Sequence, residues 1–387
     1  MRIALLSSDP EVVYGDGHAC PARLRGLAHA LVSAGHEVSL MVSGLEPGCA
    51  DPGPELDLRV LRVPVSVREI DWHFSRVRPD IVIECHLSGS LEGAMAAAEA
   101  GVPHIYDLDC VPRAGLGTSH SVRGALPEAL ALSRGALVAD EQAAGRVRAL
   151  MGEGFDVHVL ANAVGAQFLE TPAHDQVARI ERALRLAPGT PRIGCYGPLV
   201  RDGGLVPLVR ALGLLPAEVR PRLVVIGDGP ERNPALVAAD EANVGLVLCG
   251  TVPRYEAPAY LALCGVVVTP DERDDGMPRA MLEAMAMHRA VVAPASEAAR
   301  RVARHGHDAQ LVAFDEPQVL ADALALLLAD AALRSRLGGQ AHRTVVARHT
   351  WDTRIAIVER LVDRVRLTGG AAAAAWQPDG RSAGAER

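Results

Sequence analysis

Short runs of apolar residues alternate along the chain with longer segments in which apolar positions recur every three or four residues. In the first part the runs are MRIALLSS (1–8), HEVSLMVSG (36–44), LRVLRVPV (58–65), DIVIECH (80–86), PHIYDLD (103–109), ALVAD (136–140) and VHVLAN (157–162). Between them, ARLRGLAHALVSAG (22–35) and LEGAMAAAEAG (91–101) keep helical spacing and stop at a glycine, and a further helix starts near Glu141. Runs without polar alternation are what strands covered on both faces require, so the pattern predicts a parallel sheet between helices. AVGAQFLETPAHD (163–175) reads as a linker, and after it the pattern restarts. The second set of strands is PRIGCYG (191–197), RLVVIGDG (222–229), VGLVLCGTV (244–252), GVVVTPD (265–271), AVVAP (290–294) and AQLVAF (309–314). From Pro317 the chain is mostly helical, and the low-complexity stretch 369–387 is expected to be disordered. The fold class is α/β, with two successive doubly wound, Rossmann-like domains.

Composition narrows the function classes. A chain of 387 residues exceeds what one core supports, and 49% hydrophobic with 22% charged residues suits large cores. Aromatic residues make up 3% and the net charge is −8, which disfavours nucleic acid and anionic membranes as partners. All 39 basic residues are arginine, so lysine Schiff-base chemistry and lysine phosphate clamps are excluded. Seven scattered cysteines without CxxC spacing read as reduced thiols. The N-terminal run is too short for a signal peptide and no segment reaches membrane-spanning length, so a cytoplasmic location is expected.

Candidate chemistry concentrates in DERDDGMPRAMLEAMAMHRAVVA (271–293), where an acidic loop meets a glycine, a proline able to open a helix, and a Glu on that helix. Free N–H groups around Gly276, Met277 and Arg279 would point out of the helix start, where an anionic or hydroxyl-rich ligand can be held. Asp275 and Glu283 add two carboxylates beside that position. Each half also carries a GDG loop, at 15–17 and 227–229; neither continues as GxGxxG, so the dinucleotide fingerprint is not met. In doubly wound sheets ligands bind outside the carboxyl ends of the strands, and two such domains facing each other make a cleft.

These motifs, in their order and spacing, resemble the retaining GT-B glycosyltransferases of family 4. LRGLAHALVSAGHEVSLMVSG, PDIVIECH, VHVLANAV, VVIGDGPE, VLCGTV and DGMPRAMLEAMA are similar to successive family segments, and TWD (350–352) to the opening of its last helix. The resemblance covers about residues 1–368. It implies an acceptor-side domain over 1–168 completed by the helix 351–368, and a donor-nucleotide domain over 169–350. It further implies transfer of a sugar, with retention, from a nucleoside-diphosphate sugar to an acceptor hydroxyl, with no metal and no further cofactor. By resemblance, Asp275, Gly276, Met277 and Arg279 hold donor sugar hydroxyls and Glu283 the ribose. Thr251 and Val252 border the nucleobase, Gly197 belongs to the donor site, and Gly15, Gly17 and His18 form a loop toward the diphosphate or acceptor. Asp109 and His86, at strand ends, are the catalytic candidates. The implied partners are the donor and a small-molecule or glycan acceptor, with a second copy or a partner glycosyltransferase as a further possibility.

The chain departs from that family at four places, the first being Asp275, which stands where the family has Glu. The diphosphate-clamp positions hold Pro198 and Gly203 in place of Arg and Lys, which leaves Arg201 as the nearby cation. The catalytic-His position holds Asp109, and the glycine after the donor helix is His288. The replaced Arg, Lys and His positions motivate an alternative expectation, a catalytically impaired accessory protein that partners an active glycosyltransferase.

Overall fold

The computed structural model of the protein describes residues 1–7, 13–14, 19–45, 58–63, 66–85, 91–108, 120–187, 189–201, 203–270 and 277–367. The chain divides into two compact units, one of Met1–Tyr14, Leu31–Leu160 and Ile355–Arg387, the other of Gly15–Ala30 and Ala161–Arg354. The stretch 369–387 lies outside the described residues.

The first 160 residues carry strands β1 (Arg2–Ser7), β2 (Val13–Tyr14), β3 (Glu37–Val42), β4 (Gly44–Leu45), β5 (Leu58–Arg62), β6 (Ile81–Cys85), β7 (His104–Leu108), β8 (Gly135–Val138) and β9 (Val157–Val159). Helices α1 (Ala19–Ser33), α2 (Val67–Val77), α3 (Glu92–Glu99), α4 (His120–Ala131) and α5 (Glu141–Met151) lie between them. Apart from the short pair β2–β4, the strands form one parallel sheet in the order β5-β3-β1-β6-β7-β8-β9. All five residues of β6 and of β7 are buried, as the unalternating runs predict. The helix α2 does not stand out as an apolar run in the sequence. Its start is set by Ser66, whose hydroxyl accepts from the Glu69 amide and donates to the Glu69 carboxylate, and Ile70 and Phe74 are its buried positions.

The second unit carries β10 (Arg192–Tyr196), β11 (Arg222–Ile226), β12 (Leu246–Leu248), β13 (Val266–Val268), β14 (Ala290–Pro294) and β15 (Gln310–Val312), all parallel, in the order β12-β11-β10-β13-β14-β15. Its helices are α6 (His174–Ala183), α7 (Leu205–Gly213), α8 (Arg232–Glu241), α9 (Ala257–Ala262), α10 (Arg279–Ala286), α11 (Glu297–Val302), α12 (Pro317–Ala329) and α13 (Ala331–Arg348). Two core clusters cover the sheet. One gathers Leu205, Leu208 and Leu212 of α7 with α12, the other Met281, Leu282 and Met285 of α10 with Val345 of α13. The strand order reverses between β10 and β13, and the helices that follow those two strands join different clusters. The loops leaving β10 and β13 therefore diverge, the arrangement that opens a crevice at a topological switch point.

The final helix α14 (Ile355–Leu367) packs on β8 and β9 of the first unit. It is tied by the Arg364–Asp156 ion pair at 3.2 Å and by the Glu359 contact to His36, also 3.2 Å. The stretch 163–175, which reads as a linker, is anchored to the second unit. Val164 bridges to Thr350, and the ring of Phe168, in a short turn over Ala166–Phe168, is fully buried against α10. An aromatic ring that size is costly to leave in water, and this one fixes the segment's path.

Candidate functional site

The crevice between β10 and β13 is lined first by Tyr196, the last residue of β10. The chain then turns through Gly197, whose φ of 132° is open to glycine and strained for other residues. A second loop, after β11, is stitched to this one. The Leu199 amide donates to the Asp228 carbonyl at 3.0 Å, and the Glu231 amide to the Leu199 carbonyl at 3.1 Å. Gly227 and Gly229 permit the approach, because a Cβ there would lie 2.0 Å and 2.4 Å from the carbonyl oxygens of Gly197 and Leu199. The buried carboxylate of Glu231 accepts from the Leu205 amide at 3.1 Å, so the first turn of α7 is capped by a protein carboxylate.

Helix α10 enters from the other side. Arg279 is its first residue and Pro278 caps it without a side-chain hydrogen bond, so the proline stands one position ahead of the helix. The Gly197 backbone lies against Ala280. His288, which stands where the family has glycine, adopts a φ of 56°, the left-handed conformation that ends α10. Its ring stacks on His342 with centroids 3.8 Å apart.

Glu283 is the centre of the site. Its side chain is only 2% exposed and both oxygens are engaged. The Tyr196 hydroxyl donates to Oε2 at 2.6 Å, and Arg254, from the loop after β12, forms an ion pair with Oε1. Burial pushes the Arg254 guanidinium down to about 10. The field of Tyr196 opposes that fall, and Arg279 and Arg25 add to it. Burial raises the Tyr196 phenol, while Arg254 and Arg279 pull it back. Arg279 and Arg25 are thus near enough to Arg254, and Arg254 and Arg279 near enough to Tyr196, to interact electrostatically.

The structure brings Gly197, Met277, Arg279 and Glu283 to this end of the sheet, and Val252 packs on the same core cluster as Tyr196 and Met277. Thr251 is exposed beside Val252, next to Gly250, whose carbonyl accepts from the Gly227 amide at 3.0 Å. Arg201 is exposed in the turn ahead of α7. Asp275 and Gly276, the catalytic candidates His86 and Asp109, and the loop residues Gly15, Gly17 and His18 lie outside the described residues. Tyr196 and Arg254 are functional candidates that motif reading missed. The available signal was the nearly apolar helix around Glu283, since a carboxylate buried there needs partners.

Residues 190–330 match the family Glycosyl transferases group 1. A GDP-mannose-dependent alpha-(1-6)-phosphatidylinositol monomannoside mannosyltransferase of Mycobacterium tuberculosis is 30% identical over 202 residues, 50% of this chain. That match spans about half the length of the mannosyltransferase, 52%. A D-inositol 3-phosphate glycosyltransferase of Xylanimonas cellulosilytica is 28% identical over 407 aligned positions, covering 91% of this chain and 94% of that protein. Among solved structures, the sucrose-phosphate synthase of Thermosynechococcus elongatus superposes with a TM-score of 0.70 at 17% identity, over 95% of this chain and 99% of the other. Anabaena HepE in complex with UDP and glucose gives 0.70 at 16% identity, over 94% and 99%. The fold is GT-B, built from two parallel-sheet Rossmann-like units.

Proposed function

We propose that the protein is a retaining glycosyltransferase that moves a sugar from a nucleoside-diphosphate sugar to an acceptor hydroxyl without a metal. The observation that carries this reading is Glu283, held by Tyr196 and Arg254 at the switch point of a unit that matches the group 1 family. A buried, oriented carboxylate is a receptor for paired hydroxyls, and the ribose of the donor supplies such a pair.

In this reading Asp275, with the backbone of Gly276, Met277 and Arg279 at the start of α10, holds the donor sugar and its phosphate. Gly197, Thr251 and Val252 border the nucleotide. Transfer breaks the bond between the anomeric carbon and the diphosphate oxygen and forms one to the acceptor oxygen, and the carboxylate of Asp109 is assigned to take the hydroxyl's proton. His86 is the second catalytic candidate, and the loop of Gly15, Gly17 and His18 is assigned to the diphosphate or the acceptor. Charge building on the departing diphosphate meets arginine and the α10 start, the kind of fixed electrostatic support that needs no reorganisation during reaction.

The relatives' names make GDP-mannose the first donor to try and inositol phosphates the first acceptors. The test measures melting temperature and turnover against GDP-, UDP- and ADP-sugars. The expected result is a rise in melting temperature with one nucleotide class, lost in Glu283→Ala and Asp275→Ala, and release of that nucleoside diphosphate when acceptor is added. A chain that binds no nucleotide across the panel refutes the reading. Binding without turnover to any acceptor would instead favour a non-catalytic GT-B protein.

A further inference from the structure

Glu283 presents a geometric problem that its neighbours solve. A carboxylate offers about four acceptor positions, two on each oxygen. Tyr196 takes one on Oε2 and Arg254 one on Oε1, so each oxygen keeps a position for an incoming hydroxyl. Two hydroxyls on adjacent carbons can then be accepted side by side, one per oxygen. The arrangement holds only while the carboxyl plane is fixed, and α10 around it offers apolar neighbours, Met281, Leu282 and Met285. A charged group that far from water is stable only when paired and hydrogen-bonded.

Arg254 supplies that pairing from a rigid position. It lies in a tight turn in which the Glu256 amide donates to the Pro253 carbonyl at 2.9 Å, leading into α9. Its guanidinium stands 5.6 Å from the ring centroid of Phe168, itself fully buried. The planar fork of arginine can lie against a ring and point an N–H at Oε1 together, which a lysine ammonium cannot do. Resting on the donor-site reading above, we propose that Arg254 is a positioning residue that orients Glu283, and thereby makes the site select ribonucleoside over 2′-deoxyribonucleoside diphosphates.

The test is isothermal titration with GDP, UDP and ADP and their 2′-deoxy counterparts, on the wild-type chain, Arg254→Met and Arg254→Lys. For the accepted base, the wild type is expected to favour the ribo form by about tenfold or more, the value of a hydrogen bond to a charged group. Arg254→Met brings that ratio to within about twofold; the 2′-deoxy affinity also falls, because its 3′ hydroxyl meets the same carboxylate, but by clearly less than the ribo affinity. Arg254→Lys restores part of the ratio. Unliganded melting temperatures check folding, and if Arg254→Met does not fold, Tyr196→Phe removes the other anchor and must lower the same ratio. Equal loss of both forms in Arg254→Met, or an unchanged ratio, overturns the proposal. A wild type that binds ribo and deoxy forms equally overturns it too, yet leaves the donor-site reading standing. A wild type that binds none of the six removes both.

Discussion

The first unit hides a polar group whose removal has a calculable cost. Glu84, in the middle of the seven-stranded sheet, is 0% exposed, and its Oε2 lies 3.0 Å from Nε2 of His104, which is 1% exposed. His104 Nδ1 meets the Ser133 hydroxyl at 2.9 Å, and that hydroxyl donates its only proton to the Ala129 carbonyl. Nδ1 therefore carries the hydrogen of that contact, and Nε2 faces the carboxyl oxygen of Glu84. The Tyr106 hydroxyl bonds the same carboxylate, and burial next to that charge raises the phenol far above its usual range. There is no slack for rearrangement: a Cβ on Gly93 of α3 would lie 2.4 Å from Oε2. His104→Leu takes the imidazole from a buried acid and leaves it the Tyr106 hydroxyl as a partner, which costs about 3–5 kcal/mol. Glu84→Gln keeps the shape and removes the charge, at about 1–2 kcal/mol. The double variant is expected to cost clearly less than the sum, because the carboxylate that the imidazole balanced is gone. Urea denaturation followed by circular dichroism measures the cycle, with a melting-temperature drop of about 6–20 °C for His104→Leu. A His104→Leu chain within about 1 kcal/mol of wild type, with unchanged denaturant dependence, would refute the reasoning.

Three further outcomes are expected. Gly227→Ala places a Cβ 2.0 Å from the Gly197 oxygen at a φ of 146°, so thermal unfolding should show a loss of about 2–4 kcal/mol together with weaker nucleotide binding. His349 is buried, and burial followed by Arg354 and Arg348 pushes its imidazole from 6.5 down to about 4. The folded chain keeps it neutral while the unfolded chain protonates it, so its contribution is complete above about pH 6.5 and is lost as pH falls toward 4. Melting curves across that window should be flatter for His349→Asn than for the wild type. Arg201 is exposed, so its charge is screened; Arg201→Ala should weaken nucleotide affinity by no more than about fivefold, and by less in high salt.

The sheets were legible because strands buried on both faces leave unbroken apolar runs, and β6, β7, β11 and β14 fall inside the runs read as strands. What periodicity concealed was local or polar. The helix α2 is announced by its capping serine more than by an apolar run. The segment around Phe168 carries linker residues and one buried ring. Glu84 sits inside DIVIECH, where four buried apolar positions mask one carboxylate. His288 was legible in part: its place after α10 requires positive φ, and the structure has it there. At the candidate site, motif reading found Glu283 and left out the residues that hold it.

That omission has a physical cause. A motif records which residues follow one another on α10, whereas the partners of Glu283 come from the end of β10 and from a loop 29 residues before it. No spacing rule within one helix can place Tyr196 or Arg254. Solvation does indicate that partners exist: an acid flanked by Met281, Leu282, Ala284 and Met285 must meet a donor from another element. Because the chain has no lysine, a cationic donor to that acid has to be arginine or histidine. The planar guanidinium gives the pairing a direction as well as a charge. The same two facts, a buried acid and an arginine-only chain, account for Arg254 as the partner of Glu283, with Arg279 close enough to Arg254 to act on it electrostatically.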